Sequence, residues 1–220
     1  MFKPFFNIGF FGISLYTNNM PDKKQILIIH GGTVFDSYGD YLNYLRQYKI
    51  ESLVDLRFED WKRELEESLV DRFEIIKPSM PCKRNAKYLE WVIWLEKFFP
   101  FLSDDIILIG HSLGGTFWLK YLAENNFPVQ ISQLHLVAAA ITETNEPLGD
   151  FVLPEDLSNI TGQVRNIFLY YSKDDPVVPF SDLEIVATRL PEARKIIFAD
   201  RGHFRMPDFV ELKNNIINYQ

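Results

Sequence analysis

Six short apolar runs alternate along the chain with longer stretches whose apolar residues recur at helical spacing. The runs are Gln25–His30, Phe73–Lys77, Asp105–Gly110, Gln133–Ala138, Arg165–Tyr171 and Arg194–Ala199. Most are dense in Ile, Leu, Val and Phe, as strands must be when both faces of a sheet are covered. Between them the spacing predicts helices over Tyr38–Tyr48, Phe58–Leu69, Asn85–Phe99, Leu113–Asn125, Asp182–Leu190 and Asp208–Tyr219. Asn85–Phe99 reads as strongly amphipathic, through Tyr88, Leu89, Val92, Leu95, Phe98 and Phe99. Strand and helix in alternation predict an α/β fold of about six mainly parallel strands with helices on both faces.

Two segments fall outside this rhythm. Residues 142–163 carry acids, two prolines and two glycines among apolar Leu148, Phe151, Val152, Leu153 and Leu157. They read as a loop or a small cap over the sheet edge, and an ordinary surface loop fits as well. Residues 1–19 read as an N-terminal extension without a role in the fold, disorder being one state open to it. Met20, followed by Pro-Asp-Lys-Lys and a clean strand, reads as an alternative start, so that the main domain spans residues 20–220. The apolar stretch Phe5–Tyr16 is too short to span a bilayer and lacks a signal-peptide cleavage pattern.

Composition narrows the function classes. Hydrophobic residues make up 47% of the 220, enough for a sizeable core. The net charge is -7, with 23 Lys+Arg against 30 Asp+Glu, interspersed and without a basic stripe. Nucleic acid is therefore not an expected partner, and a membrane is not expected either. The lone cysteine, Cys82, excludes a disulfide framework and fits a cytoplasmic location. No histidine pair has helical metal-ligand spacing, so no metal and no cofactor are expected.

Four motifs carry chemistry. Gly110-His111-Ser112-Leu113-Gly114 stands between the third apolar run and a helical pattern. A nucleophilic serine needs that strand–turn–helix setting, because its hydroxyl must stand clear of the sheet on a sharp turn. Glycines on either side remove side chains that would collide there. Asp174-Asp175-Pro176 follows the fifth run, and Gly202-His203-Phe204 follows the sixth. An acid there can orient an imidazole, and a histidine there can act as its general base. Asp175, just before the proline, is favoured over Asp174; a solvated turn explains both acids as well. Asp200 is a local rival as the histidine's partner. The order Ser112, Asp175, His203 is the chain order of α/β-hydrolase triads. His30-Gly31-Gly32-Thr33 ends the first run, and its N–H groups suit half an oxyanion hole. Gly32 is the expected first donor and Thr33 the runner-up, with the N–H of Leu113 as the second donor.

Other residues have plainer readings. His111 is expected to be supportive, His30 to bond at the oxyanion turn, and His135 to be a satisfied core residue. Phe117 reads as core or acyl-pocket wall. Thr33, Phe35 and Tyr38 are the expected substrate-binding positions. Trp91 and Trp94 read as helix-packing residues.

Ile-Leu-Ile-Ile-His-Gly-Gly, Ile-Leu-Ile-Gly-His-Ser-Leu-Gly-Gly, Ser-Lys-Asp-Asp-Pro-Val-Val-Pro and Gly-His-Phe together resemble the α/β-hydrolase superfamily. The short spacing from the first strand to the serine is most similar to the small serine hydrolases related to retinoblastoma-binding protein nine. The resemblance covers roughly residues 22–219. It implies Ser112 as nucleophile, His203 as base, Asp175 as its partner, and a sheet without the first antiparallel strands of larger members. It leaves the oxyanion residues less well defined, since small members vary there.

The expected activity is cleavage of a carboxylic ester or thioester through an acyl-enzyme, on a small-molecule substrate. An acyltransferase or lyase with the same triad remains open, as does a non-catalytic binding protein on a hydrolase scaffold. All three triad positions being filled argues against the last. A membrane anchor in the N-terminal segment rests on hydrophobicity alone.

Overall fold

The computed structural model describes residues 23–50, 52 and 60–219. The expectations for residues 1–19, Met20 and the start of the second helical stretch lie outside them.

Six strands form one sheet in the order β2-β1-β3-β4-β5-β6, every neighbouring pair parallel. They are β1 (Lys24–Ile29), β2 (Phe73–Ile76), β3 (Ile106–His111), β4 (Ile131–Val137), β5 (Val164–Ser172) and β6 (Arg194–Phe198). The helices are α1 (Tyr38–Gln47), α2 (Trp61–Leu69), α3 (Tyr88–Glu96), α4 (Leu113–Glu124), α5 (Ser158–Thr161), α6 (Ser181–Arg189) and α7 (Val210–Asn218). Every residue of β3 and β4 is buried. Successive strand residues point to opposite faces, so both faces of the sheet are covered there. The edge strand β6 has no fully buried residue.

Strand order dictates where a site can form. From β1 the chain crosses to β2 on one side, then returns to β3 on the other. Successive connections thus leave β1 in opposite directions and open a crevice at the carboxyl ends of β1 and β3, where open α/β sheets bind ligands. The register pairs Ile29 with Gly110, which brings the turns after both strands together.

Several helical expectations change in detail. The α3 pattern is apolar all round rather than one-sided. Trp91 and Leu95 are buried, whereas Leu89, Ile93 and Trp94 are exposed, so of the two tryptophans only Trp91 packs into the core. Helix α1 buries nothing. Its tyrosines pack on one another and on Phe35, with Phe35 5.1 Å from Tyr44 and 5.5 Å from Tyr41 between ring centroids. Strand β4 ends where Ala138 turns to a positive φ of 46°.

Residues 142–163 are anchored by buried apolar side chains. They hold one 3-10 turn, Gly149–Phe151, and α5. Leu148, Phe151, Leu157 and Ile160 are buried. The Glu143 carboxylate accepts the N–H groups of Leu148 and Gly149 at 2.9 and 3.3 Å, closing the first turn. Among the described residues, no helix is long and apolar enough to cross a membrane.

Candidate active site

Ser112 sits between β3 and α4 with φ 54° and ψ −127°. A residue with a side chain rarely adopts that backbone, and such strain persists only where the surroundings impose it. The surroundings are close-packed. A Cβ at Gly110 would lie 2.5 Å from the Gly114 carbonyl oxygen, and one at Gly114 would run into the carbonyl oxygens of Ile29 and His30. The glycines therefore let the elbow press against β1. The Ser112 N–H is tied to the Val137 carbonyl at 2.8 Å. Leu113 opens α4, ahead of the helix's own hydrogen-bond ladder, so its N–H is free for a ligand.

The turn after β1 lies directly beside the serine. A Cβ at Gly31 would be 3.1 Å from Ser112 Cβ. Among the described residues the Gly32 N–H has no acceptor. Thr33 is different: its N–H donates to the Lys83 carbonyl at 2.8 Å, and its own carbonyl accepts the Ala86 N–H at 2.9 Å. That excludes Thr33 as the alternative oxyanion donor, although it lines the cleft. His30 braces the turn, with Nδ1 at 2.6 Å from the Gly31 carbonyl and Nε2 accepting the Met80 N–H at 2.9 Å. Burial holds its pKa below the usual imidazole range.

His203 faces the same cleft as Ser112. Its Nδ1 lies 2.9 and 3.1 Å from the two Asp175 oxygens, and the two side chains are only 8% and 2% exposed. A carboxylate can only accept, so Nδ1 carries the proton and Nε2 holds the lone pair a base needs. Asp175 Oδ1 also accepts the N–H groups of Val177 and Val178 at 2.8 and 3.0 Å, which fixes its orientation. Asp200 makes no bond to the imidazole. Among the described residues the Ser112 hydroxyl has no hydrogen-bond partner; such contacts commonly tighten only when substrate binds.

Asp174 is not idle. Its Oδ1 accepts the Ser172 hydroxyl at 2.5 Å and the Gly202 N–H at 2.9 Å, while Ser172 Oγ accepts the Arg201 N–H at 2.9 Å. The Ser172 bond, then the Gly202 bond, lowers the Asp174 pKa. The His203 loop is thus hung from the end of β5. Gly202 and Phe204, on either side of the histidine, both have positive φ.

A second support comes from α2. Trp61 donates its indole N–H to the Phe204 carbonyl at 3.1 Å and its backbone N–H to the Met206 carbonyl at 3.0 Å. Lys62 pairs with Asp60 and reaches His111 Nδ1 at 3.3 Å. An ammonium can only donate, so His111 Nδ1 accepts and its Nε2–H donates to the His203 carbonyl at 3.1 Å. Burial first, and Lys62 second, push the His111 pKa well below the ordinary value, so the ring is neutral. Burial likewise lowers the Lys62 pKa, against the pull of Asp60. No sequence motif marks Lys62. Asp182 escapes sequence reading too: fully buried, it accepts the N–H groups of Ile141 and Thr142 at 2.7 and 3.1 Å and shapes the loop after β4.

Of the expected substrate-binding residues, Thr33 borders the larger hollow at Ser112. Phe35 packs into the α1 tyrosines, and Tyr38 is 67% exposed; among the described residues, neither borders these two hollows. Tyr44, six residues further along α1, and Tyr48, its C-terminal cap, reach the cleft instead. Their i, i+4 spacing was the available signal. Phe117 is fully buried against Trp91, 5.6 Å between ring centroids, and belongs to the core. His135 is a satisfied core residue, bonded to Tyr170 Oη and Gln133 Oε1 at 2.9 and 2.8 Å.

Known proteins agree with this architecture. The ydeN gene product of B. subtilis superposes with a TM-score of 0.71 at 21% identity, covering 90% of this chain and 98% of that one. Est1E from Butyrivibrio proteoclasticus gives 0.55 at 16%, covering 91% and 90%. At these identities the likeness is one of fold, and that fold is the α/β-hydrolase fold. In sequence, serine hydrolase RBBP9 of Rattus norvegicus is 31% identical over 144 residues, 64% of this chain and 74% of the relative. A family model described as serine hydrolase matches residues 53–209, well over half of the chain. The match spans the elbow, the acid and the histidine, and on that ground the chain belongs to the serine hydrolase family.

Proposed function

We propose that this hydrolase cleaves carboxylic esters, with thioesters as the nearest alternative, through an acyl-enzyme on Ser112. His203 Nε2 takes the Ser112 proton as Oγ attacks the carbonyl carbon. The N–H groups of Gly32 and Leu113 hold the oxyanion. Collapse of the tetrahedral adduct expels the alkoxide or thiolate, which receives the proton from His203. Water, activated by the same imidazole, then releases the acid. Asp175 keeps the proton of His203 on Nδ1 and stabilises the imidazolium that forms.

The observation that carries this reading is the strained serine at the N-terminus of α4, sharing a cleft with an imidazole that is bonded to a buried carboxylate. A fluorophosphonate probe tests it, with the label mapped by peptide mass spectrometry. The expected result is labelling at Ser112 that Ser112→Ala and His203→Ala both lose, followed by turnover of an ester and thioester panel. No labelling of the folded protein would make a binding protein on a hydrolase scaffold the better reading. Product partitioning in the presence of an added alcohol separates hydrolysis from acyl transfer.

A further inference from the structure

Two unlike hollows meet at Ser112, and both are bordered by Gly32, Glu146 and Val177. The smaller is tight, with room for a small group only, and the larger is roomy and open to solvent. The smaller is walled mainly by Val34, Leu113, Ala140, Leu148, Val178 and Pro179. The larger is bordered by Tyr44, Tyr48, Lys83, Arg84 and Arg205 along with the serine and the histidine. Three cations thus face one carboxylate, Glu146, around this hollow, in a chain whose net charge is -7.

Those cations are open to a ligand, although Arg84 already bonds the Tyr48 and Tyr44 hydroxyls. All three are exposed. Among the described residues none takes part in an ion pair. Their settings differ. Lys83 is anchored through its carbonyl to the Thr33 N–H, beside the oxyanion turn. The Arg84 guanidinium lies over the Tyr48 ring, 5.1 Å from its centroid. Arg205 stands two residues after the catalytic imidazole. Unpaired cations on a rim attract anions, and guanidinium groups bind carboxylate and phosphate in a fixed geometry.

We propose that the substrate is an ester with a short apolar acyl group and an anionic alcohol part, the acyl group entering the smaller hollow and the anion meeting Lys83, Arg84 and Arg205. This rests on the esterase reading above. The bond from Ser112 Oγ to the acyl carbon forms, the ester C–O bond breaks, and the departing anionic alkoxide takes its proton from His203. Water then releases a short carboxylic acid.

The test is a matched set of acetyl esters of meta-substituted phenols carrying a carboxylate, a phosphate monoester, or the neutral methyl ester of that carboxylate. kcat/KM is measured with the full chain at low and high salt. At low salt the anionic esters are expected to exceed the neutral one about tenfold, the size of one charge-assisted hydrogen bond at the low end of its range. High salt screens the attraction and narrows the ratio. Lys83→Ala, Arg84→Ala and Arg205→Ala each lower the anionic-to-neutral ratio, which is internal to each preparation and so independent of how much of the variant folds. The preferred anion tells a phosphate-bearing alcohol from a carboxylate-bearing one. Equal turnover of neutral and anionic esters overturns the proposal and leaves the esterase reading standing. No turnover of any ester, with no fluorophosphonate label at Ser112, overturns both.

Discussion

The two loops that supply the serine and the histidine are built in opposite ways. The serine elbow is local: five consecutive residues, from the end of β3 into the start of α4, set its backbone, and glycines let it press against β1. The histidine loop is assembled from a distance. It hangs from Asp174 and Ser172 at the end of β5, and its carbonyls are bonded by Trp61 and His111 from α2 and β3. A local device fails through sterics and takes the fold with it. An assembled one can lose a single support and keep the fold while its geometry loosens.

The largest effect is expected where the assembled loop carries charge. Asp175→Asn keeps the shape but can accept the Nδ1 proton only through one atom, and it removes the charge that favours the imidazolium. kcat for an ester should fall about 10⁴-fold, with secondary structure by circular dichroism unaltered. Next comes the elbow. Gly114→Ala places a Cβ against the Ile29 and His30 carbonyls, which are backbone atoms of the central sheet and its turn. A loss of about 3 kcal/mol in urea unfolding is expected, the upper end of overpacking.

Acid sharpens the comparison from outside the site. Burial lowers the pKa of His135 from 6.5 to about 3. At pH 7 its ring is neutral, folded or unfolded. As pH falls below 6.5 the unfolded chain binds a proton that the folded chain refuses until about pH 3. Stability is therefore lost across that window, at about 1.4 kcal/mol per pH unit once the unfolded side chain is fully protonated. His111, with its pKa lowered by burial and by Lys62, adds in the same direction. Urea unfolding between pH 7 and 4 checks the slope, and His135→Gln should make it shallower by the share of one proton.

The smallest effect concerns Asp174, a positioning residue. Asp174→Ala removes the acceptor for Ser172 and Gly202, and kcat should fall about tenfold, the value of one or two hydrogen bonds. Asp174→Asn keeps an oxygen acceptor and should recover most of it. A purely structural role would shift the unfolding midpoint without that recovery in kcat.

Much of this was legible along the chain. All six strands and the six longer helices were visible, because strands buried on both faces leave continuous apolar runs and amphipathic helices keep a period. The elbow was legible for the same reason, as its sterics lie within one short motif. Errors gathered where side-chain direction matters more than pattern. Helix α1 carries apolar residues at helical spacing yet buries none of them, and Phe35 and Tyr38 gave way to Tyr44 and Tyr48 at the cleft. Thr33 looked like a possible oxyanion donor until the loop at Lys83 took its N–H.

Local steric and periodic demands belong to consecutive residues, and so the amino-acid order alone specified the parallel α/β frame, the elbow at Ser112 and the order of the acid and the histidine. Folding settled what depends on distant segments meeting. It chose Asp175 over Asp174 and Asp200 for the imidazole, brought Lys62 under His111, and drew Lys83, Arg84 and Arg205 to one rim. Hydrogen bonds and charges act over a few ångströms of space, and residues bonded across that space lie up to 149 positions apart in the chain.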